Sequence, residues 1–321
     1  MAEPGRQDGA AIEVRGLTKS YGGVRAVRGI DLTVQRGHIF ALLGPNGAGK
    51  TTTVEILEGY RSRDAGTVQV LGYDPARQRR PLKRRIGIVL QSSGMDRYLT
   101  VAETVTMYAG FYPEPRPVDE VIGLVGLEEK RNSRVNKLSG GQQRRLDVAI
   151  ALAGNPELLF LDEPTTGFDP SARREAWEVI KNLATLGKTV LLTTHYMDEA
   201  QYLADRVAVI SAGRIVAEGD PATLANRELA RARIRYRVPD GATPPPGLAG
   251  PVAADGFTEF SPDDVTAALH QLTGWALDHK ISLDGLEVSR PSLEDVYLAL
   301  TGADDGALTG ADDGASKGGT A

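Results

Sequence analysis

The sequence predicts an α/β protein that is built on a parallel β-sheet with helices on both faces. Short apolar runs that suit buried strands, such as Ile39–Leu43 and residues 157–161, alternate along the chain with segments of helical periodicity. Strands that are apolar throughout are typical of parallel sheets, which are buried on both faces. Polar residues follow two of these runs, at the sheet edge where α/β proteins bind ligands. The other predicted strands of this sheet are residues 86–90, 189–194 and 206–210.

Size and composition are those of an ordinary globular protein with room for one large domain and a smaller one. The 321 residues are 41% hydrophobic and 25% charged. The formal net charge of −5 argues against a nucleic-acid partner, since proteins that bind nucleic acid are usually basic. The chain has no cysteine, which excludes disulfides and thiolate metal sites and fits a reducing compartment. The sequence shows neither a signal peptide nor the roughly 18-residue apolar run of a membrane span, so we expect another chain to supply any membrane helices.

The N-terminal region predicts a disordered leader followed by β-structure. Residues 1–10 are the expected leader, and residues 12–14 and 26–34 are expected strands that join through the glycines after Tyr21. A further strand is expected at residues 66–72, between two glycines. Residues 77–85 then place six basic side chains in nine positions. A solvated face and a contact with anionic lipid headgroups or a partner are both open interpretations of this basic segment.

A phosphate-binding loop is predicted at residues 44–53, GPNGAGKTTT, which fit the pattern G-x-x-x-x-G-K-[ST] directly behind a strand. Glycines let backbone N–H groups approach an anion, and the start of the following helix adds its positive dipole end. Lys50 is expected to reach the β- and γ-phosphates of a nucleotide, and the Thr51 hydroxyl to ligate Mg²⁺. The alternative, a glycine-rich turn with an incidental lysine, is disfavoured by the strand in front and the helix formers behind. The predicted nucleotide-binding residues of the loop are Gly44, Pro45, Asn46, Gly47, Ala48, Gly49, Lys50, Thr51 and Thr52.

The segment Leu138-Ser139-Gly140-Gly141-Gln142 opens a helix after the helix-rich region 100–135. Ser139 and Gln142 have the spacing of a capping box, so a purely structural interpretation is available. Two glycines at the first helical positions cost roughly 1 kcal/mol each relative to alanine. They are better explained if a phosphate comes close to bare backbone N–H groups, and both interpretations can hold together.

Two carboxylates, Asp162 and Glu163, follow the four apolar residues 158–161. A buried strand that ends in acids places them where ligands bind in α/β sheets. Asp162 is expected to hold Mg²⁺, which retains several waters and takes few carboxylates. Glu163 is expected to orient or polarise an attacking water. The alternative is a pair of solvated acids at a strand end.

The pattern changes near residue 228. Arginines at 231, 233, 235 and 237 alternate with apolar residues, which predicts a strand with one wet face. After a Pro/Gly-rich linker, a helix is expected near residues 262–279, a strand at 286–288 and a short helix at 293–300. These elements suggest a small accessory α+β domain over residues 229–300. Residues 301–321 are rich in Gly, Ala and Asp and are expected to be a disordered tail.

Taken in order, GPNGAGKTT, LSGGQ and LLFLDEP resemble the nucleotide-binding subunits of ABC transporters, over about residues 12–225. The resemblance implies a P-loop NTPase with a RecA-like parallel-sheet core, an antiparallel β subdomain and a helical subdomain, within an ABC domain at residues 11–228. It implies that Tyr21 stacks on adenine, Gln91 contacts Mg²⁺ and senses a membrane partner, Asp169 is the D-loop aspartate, and His195 holds the γ-phosphate. Glu163 and His195 are then the expected catalytic residues. The further expected nucleotide contacts are Tyr21, Gln91, Ser139, Gly140, Gly141, Gln142 and Asp169, and the expected metal ligands are Thr51, Gln91 and Asp162.

The same resemblance implies a head-to-tail pair of subunits, since the LSGGQ segment of one subunit closes on ATP held by the other. Permease subunits would dock near Gln91 and residues 92–110, at the cytoplasmic face of the membrane. PSLEDVYLALTG near the C-terminus, together with the wording of the phosphate loop, resembles ABC-2 type exporters of the daunorubicin-resistance kind. Export of a hydrophobic drug-like compound is therefore expected, with a polysaccharide or lipid exporter as the alternative. A soluble regulatory ABC ATPase remains an interpretation from another class.

Overall fold

A computed structural model describes residues 9–89, 94–225, 232–239, 242–252 and 255–289. The chain divides into two compact units, Met1–Pro221 and Ala222–Ala321. The leader up to residue 8, Gln91, the expected boundary at residue 228, the expected helix 293–300 and the tail 301–321 all lie outside the described residues. The first strand begins at Ala10, inside the stretch expected as leader.

The first unit contains the predicted parallel sheet. Its strands are β3 (Ile39–Leu43), β5 (Ile86–Val89), β6 (Leu158–Asp162), β7 (Thr189–Thr194), β8 (Arg206–Ser211) and β9 (Arg214–Gly219). Their order is β5-β6-β7-β3-β8-β9, and all pairs are parallel except the edge pair β8-β9. Every residue of β3 and β7 is buried, as apolar strands of a covered sheet require. The sequence reasoning missed β9, which returns through a turn at Ala212 and Gly213 and is only half-buried.

An antiparallel sheet forms a second layer of this unit. Its strands are β1 (Ala10–Tyr21), β2 (Val24–Gln35) and β4 (Ala65–Val70), in the order β2-β1-β4. The turn between β1 and β2 contains Gly22 at φ 58°, as the glycines after Tyr21 suggested. The buried side chains of these strands share one hydrophobic core with Phe40, Leu42 and Phe160 of the parallel sheet. The antiparallel sheet therefore supports the strands that carry the phosphate loop and the two carboxylates.

Seven α-helices of the described residues belong to the first unit. They are α1 (Lys50–Leu57), α2 (Arg79–Lys83), α3 (Val101–Ala109), α4 (Val118–Leu124), α5 (Gly140–Leu152), α6 (Pro170–Thr185) and α7 (Met197–Leu203), and short 3₁₀ turns lie at Glu128–Lys130 and Val135–Lys137. Helix α5 contacts α3 and α4 on one side and strand β5 on another, so it joins the helical layer to the sheet. Helix α7 contacts β3 and β7. Within the described part of the chain, no helix is long and apolar enough to span a bilayer.

The second unit is a small α+β fold. Helix α8 (Pro221–Ala225) lies at the division, and strands β10 (Arg233–Arg237), β11 (Thr258–Phe260) and β12 (Asp284–Ser289) form an antiparallel sheet in the order β11-β10-β12. Helix α9 (Val265–Asp278) supplies Ala268 and Leu272 to a core that contains Ile234 and Tyr236. The alternation of β10 is confirmed, since its apolar side chains are fully buried and its arginines are not. Strand β11 has only three residues and was not predicted.

Candidate active site

The loop between β3 and α1 is fixed by glycines that pack against neighbouring backbone. A Cβ on Gly44 would lie 2.3 Å from the carbonyl oxygen of Ile210. Gly49 has φ 106° as the N-cap of α1, and a Cβ there would lie 2.4 Å from the carbonyl oxygen of Ala26. A side chain at either position would force the loop away from β2 and β8. The remaining predicted loop residues, Pro45, Asn46, Gly47, Ala48, Lys50, Thr51 and Thr52, follow one another through the turn and into α1.

The Lys50 ammonium lies beneath this loop. Its Nζ donates to the carbonyl oxygens of Gly44 at 2.6 Å and Pro45 at 3.1 Å, and the side chain is buried. Burial lowers the pKa of Lys50, while the nearby charges of Glu163 and Asp162 oppose that shift. The ammonium lies 3.9 Å from Oε1 of Glu163. A cation is thus held at the base of the loop, facing the acids at the end of β6.

Three consecutive threonines at the start of α1 have different environments. Thr51 is exposed and Thr52 is half-buried. Thr53 is fully buried, and its hydroxyl donates to the carbonyl oxygen of Gly49 at 2.8 Å. Of the three hydroxyls, that of Thr51 is therefore the one open to a ligand.

The two carboxylates occupy different positions at the end of β6. The Thr193 hydroxyl of β7 donates to Oδ1 of Asp162, and it also accepts from the backbone N–H of Glu163 at 3.1 Å. Glu163 has φ 46°, in the left-handed region that non-glycine residues rarely adopt. Its Oε2 accepts from the Thr166 hydroxyl at 3.1 Å, and its Oε1 lies 3.3 Å from Nδ1 of His195. Such strained backbone is typical of functional sites.

His195 follows β7 as the resemblance implied. Its Nδ1 is buried and has no hydrogen-bond partner among the described residues, although the ring itself is about one-third exposed at 34%. The ring packs against Tyr196 with centroids 4.1 Å apart. Lys50, His195 and Glu163 follow β3, β7 and β6, which are adjacent strands, so the sheet brings two distant parts of the chain within 4 Å of the Glu163 carboxylate.

The predicted capping box at the start of α5 is present. Ser139 is the N-cap, its hydroxyl accepts from the Gln142 N–H at 3.3 Å, and the Gln142 side chain accepts from the Ser139 N–H at 3.0 Å. Ser139 and Gly140 are exposed, and Gly141 is half-buried. A cleft of about 730 Å³ has Gly140 and Glu163 among its lining residues, so the capped end of α5 and the carboxylate face the same open space.

The other predicted nucleotide contacts are more dispersed. Tyr21 ends β1 with its ring 40% exposed, and the cationic groups of Lys19 and Arg61 each lie 5.4 Å from the ring centroid. Asp169 is the N-cap of α6, where its Oδ1 accepts from the N–H groups of Ser171 and Ala172. A structural role therefore explains Asp169 within this chain.

Sequence reasoning missed residues that hold the turn after Asp162 and Glu163. Arg144 of α5 donates to backbone carbonyls of residues 162–164, and buried Glu199 of α7 accepts from the Thr165 hydroxyl at 2.7 Å. Glu199 also accepts from the indole N–H of Trp177 at 3.0 Å. These contacts join positions at least 18 residues apart, and no motif spacing marks them.

The donor set fits a magnesium site. Among the described residues no group of three or more His, Cys, Asp or Glu side chains could hold a metal by itself. Mg²⁺ in nucleotide sites needs only one or two protein oxygens besides phosphates and waters. The exposed Thr51 hydroxyl and the Asp162 carboxylate at the strand end are hard oxygen donors of this kind.

A phosphate loop, a carboxylate between a lysine and a histidine, and a capped glycine-rich helix start define a P-loop nucleotide hydrolase. The chain belongs to the ABC transporter family. It is an ATP-binding subunit, an ATPase of the ABC type. The family model described as ABC transporter matches residues 27–166, and a second, described as an ABC transporter domain-containing protein-like C-terminal domain, matches residues 232–292.

Relatives agree over nearly the whole chain. The daunorubicin/doxorubicin resistance ATP-binding protein DrrA of Streptomyces peucetius is 39% identical over 312 residues, which cover 92% of this chain and 94% of the relative. The Nod factor export ATP-binding protein I of Burkholderia lata is 38% identical over 92% of this chain and 98% of its own length. A solved ATP-binding cassette, dimeric in a post-hydrolysis state with ADP and Pi, is 27% identical with a TM-score of 0.58 and covers 65% of this chain and 98% of its own.

Proposed function

We propose that Glu163 is the general base of ATP hydrolysis and that His195 and Lys50 hold the γ-phosphate beside it. The observation that carries this assignment is the position of the Glu163 Oε1, 3.9 Å from the Lys50 ammonium and 3.3 Å from the imidazole of His195. A carboxylate at that position can orient a water toward a phosphate bound by the loop. The exposed ring of Tyr21, at the end of β1, provides a stacking surface for adenine.

Thr51 and Asp162 are the residues that would hold Mg²⁺. The ion supplies positive charge to the β- and γ-phosphates when it is bound. Thr193 holds the Asp162 carboxylate through its hydroxyl and so limits the orientations that Asp162 can take. The expected third ligand, Gln91, lies outside the described residues.

The second half of each nucleotide site comes from a second copy of the chain in this proposal. Apart from its chain neighbours and the adjoining backbone of α5, no atom of the described residues lies within 4 Å of a Cβ added at Gly140, and a Cβ at Gly141 would make only ordinary contact with Ala172. Packing within the chain therefore does not explain these glycines. A phosphate held by another subunit would explain both of them and the exposure of Ser139. Two copies arranged head to tail would enclose two ATP molecules.

The transport role follows from the relatives. Proteins named for drug resistance and for Nod factor export match this chain almost equally well, which supports a role in export, and a hydrophobic drug-like compound is the first candidate substrate. Separate permease subunits would dock near Gln91 and residues 92–110 and hold the subunit at the cytoplasmic face of the membrane. Export of a compound of the Nod factor type is the second candidate, favoured by the near-equal identity of those relatives.

Substitution of the base tests this function. Glu163→Gln removes the proton acceptor but keeps the shape, so ATP binding persists while turnover falls at least about 10²-fold, the scale of one lost transition-state group. The variant also accumulates as an ATP-bound dimer, because hydrolysis no longer removes the ligand that favours closure. Phosphate release measures the turnover, and light scattering measures the mass and hence the fraction of dimer. Glu129→Gln, on an exposed 3₁₀ turn, is the matched control. Near-normal turnover in Glu163→Gln would refute the assignment.

A further inference from the structure

Arg144 makes an unusual set of contacts for a residue of α5. Its side chain is 9% exposed and reaches the turn that follows β6. Nε donates to the carbonyl oxygen of Pro164 at 3.1 Å, and Nη2 donates to those of Asp162 at 3.0 Å and Glu163 at 3.5 Å. One guanidinium therefore holds three consecutive carbonyl groups around the proposed base.

The turn that Arg144 holds is the strained one. Glu163 at φ 46° is stable only if the surroundings impose that conformation. The same turn is also bonded to β7, because the backbone N–H of Glu163 donates to the carbonyl oxygen of Thr193 at 3.2 Å and to the Thr193 hydroxyl at 3.1 Å. Arg144 from α5 and Thr193 from β7 thus set the direction in which the Glu163 side chain leaves the backbone.

Helix α5 connects this turn to the exposed Ser139 end. Arg144 lies within two helical turns of the N-cap Ser139, and the capping box makes the start of α5 regular. A displacement of the N-terminal end of α5 would therefore move Arg144 and would also be felt by α3 and α4, which contact this helix. Packed helices shift as rigid bodies rather than by continuous deformation.

We propose that Arg144 is a positioning residue that couples the two ATP sites of the dimer. When the Ser139 end of α5 engages the nucleotide held by the second subunit, Arg144 sets the turn that carries Glu163 at the chain's own nucleotide. ATP bound at one site then affects the position of Glu163, the proposed general base, at the other site. This coupling rests on the proposed head-to-tail dimer and adds the residue that connects its two sites.

The neighbouring arginine of α5, Arg145, is half-buried and makes different contacts. Arg145 donates to the carbonyl oxygen of Gly126 at 3.0 Å and lies 3.6 Å from the carboxylate of Glu175. Neither group belongs to the turn at residues 162–164. Arg145 therefore supplies a control on the same helix with the same charge, one hydrogen bond and one ion pair.

Arg144→Lys tests the coupling because the charge is kept but an ammonium cannot reproduce the planar fork of hydrogen bonds. We expect kcat for ATP to fall about 10- to 100-fold, the scale of a small misplacement of a reacting group, with KM and ATP affinity within about threefold of wild type. We expect the Hill coefficient for ATP to exceed 1 in the wild-type dimer and to fall to about 1 in Arg144→Lys. Arg145→Lys keeps both values. A kcat for Arg144→Lys within about threefold of that of Arg145→Lys, or a wild-type Hill coefficient of 1, would overturn the proposal.

A double-substitution cycle separates positioning from general destabilisation. If Arg144 acts through Glu163, then Arg144→Lys lowers the residual turnover of the Glu163→Gln protein by less than about threefold, because residues that act as a unit are not additive. A full 10- to 100-fold loss in that background would show that Arg144 acts by another route. Thermal unfolding of both lysine variants with ATP bound checks that each is folded.

Dimer formation distinguishes failure of this coupling from failure of the proposed function. Glu163→Gln and the double variant are both expected to form ATP-bound dimers, because Arg144 is only 9% exposed and its guanidinium donates to the turn at residues 162–164 rather than to the capped end of α5. If dimers form but Arg144→Lys keeps its kcat, only the coupling is wrong. If neither protein dimerises with ATP, the proposed head-to-tail function is wrong, and the coupling with it.

Discussion

At the scale of single residues, the site depends on side chains whose surroundings change their ordinary chemistry. Glu163 adopts a left-handed backbone conformation that only its neighbours can maintain. Glu58, at the C-terminal end of α1, is 3% exposed. Burial, together with the negative charges of Asp162 and Glu55, raises the pKa of Glu58 to about 8. The region behind the phosphate loop thus holds a carboxyl group that keeps its proton near neutral pH.

Glu58 should make stability depend on pH. Its folded pKa of about 8 lies above the ordinary value of 4.5, so between these values the folded chain holds a proton that the unfolded chain has released. The free energy of unfolding therefore falls as pH rises through this window, by up to about 1.4 kcal/mol per pH unit. Glu58→Gln keeps the shape of the protonated acid and should remove this dependence.

Urea unfolding at about pH 6 and about pH 8 measures the effect of Glu58. The free energy of unfolding of Glu58→Gln minus that of wild type should increase from about pH 6 to about pH 8. The corresponding difference for Glu129→Gln should not change with pH. If Glu58→Gln and wild type differ in free energy of unfolding by the same amount at both pH values, Glu58 does not keep its proton in the folded chain.

Substitution by alanine should have opposite effects on folding stability at Gly140 and at Gly44. At Gly140 the chain leaves room for a methyl group, so Gly140→Ala should not lower the unfolding temperature, yet it should reduce ATP turnover if a phosphate of the second subunit approaches there. At Gly44 the added methyl would lie 2.3 Å from the carbonyl oxygen of Ile210, so Gly44→Ala should distort or unfold the loop. Calorimetry and turnover decide the comparison, and unchanged turnover in Gly140→Ala would contradict the shared site.

At the scale of elements, buried polar contacts fix how each strand or helix packs. Glu199 joins α7 to α6 and to the turn after β6 through Trp177 and Thr165. In the second unit, Tyr236 of β10 is fully buried, and its hydroxyl donates to the carbonyl oxygen of Leu248 at 2.7 Å. Buried groups of this kind specify one packing, because any other leaves a donor or acceptor unpaired.

Tyr236→Phe should weaken the second unit. The substitution leaves the buried carbonyl oxygen of Leu248 without its partner, at a cost of about 1–3 kcal/mol. Hydrogen exchange of amides in β10 and β12 should rise, with little change in β3 or β7 of the first unit. Tyr98→Phe, at a side chain that is 75% exposed, is the control and should change neither. Equal protection in wild type and Tyr236→Phe would show that the hydrogen bond contributes little.

At the scale of the whole molecule, large apolar side chains are exposed near the expected permease site. Met107 of α3 is 43% exposed and Phe111, just after it, is 75% exposed. They lie four residues apart on one helix and just beyond its end, and contiguous exposed apolar surface is typical of protein contacts. The basic segment at residues 77–85 is also largely exposed, with Arg85 paired to Glu157. Its exposure agrees with a solvated face and leaves a lipid contact as a prediction.

Phe111→Ser combined with Met107→Ser should weaken binding to the permease subunits and leave basal ATP turnover unchanged. Both side chains lie outside the nucleotide site, and loss of a buried aromatic anchor commonly costs 2 kcal/mol or more, roughly 30-fold in affinity. Co-purification from membranes that contain the permease measures binding. Leu277→Ser, at an exposed position of α9, serves as the control. Undiminished co-purification of the double variant would place the docking surface elsewhere.

The sequence by itself determined the parallel strands, the phosphate loop, the acids at the end of β6 and the capping box of α5. Each of these is written in residues that are close along the chain, so periodicity and spacing reveal them. Strand order was decided only by the tertiary structure. Because β6, β7 and β3 are adjacent, Glu163 meets His195 and Lys50. The contact of Arg144 with Pro164, 20 residues away, likewise depends on how α5 packs on the sheet, which no local pattern encodes.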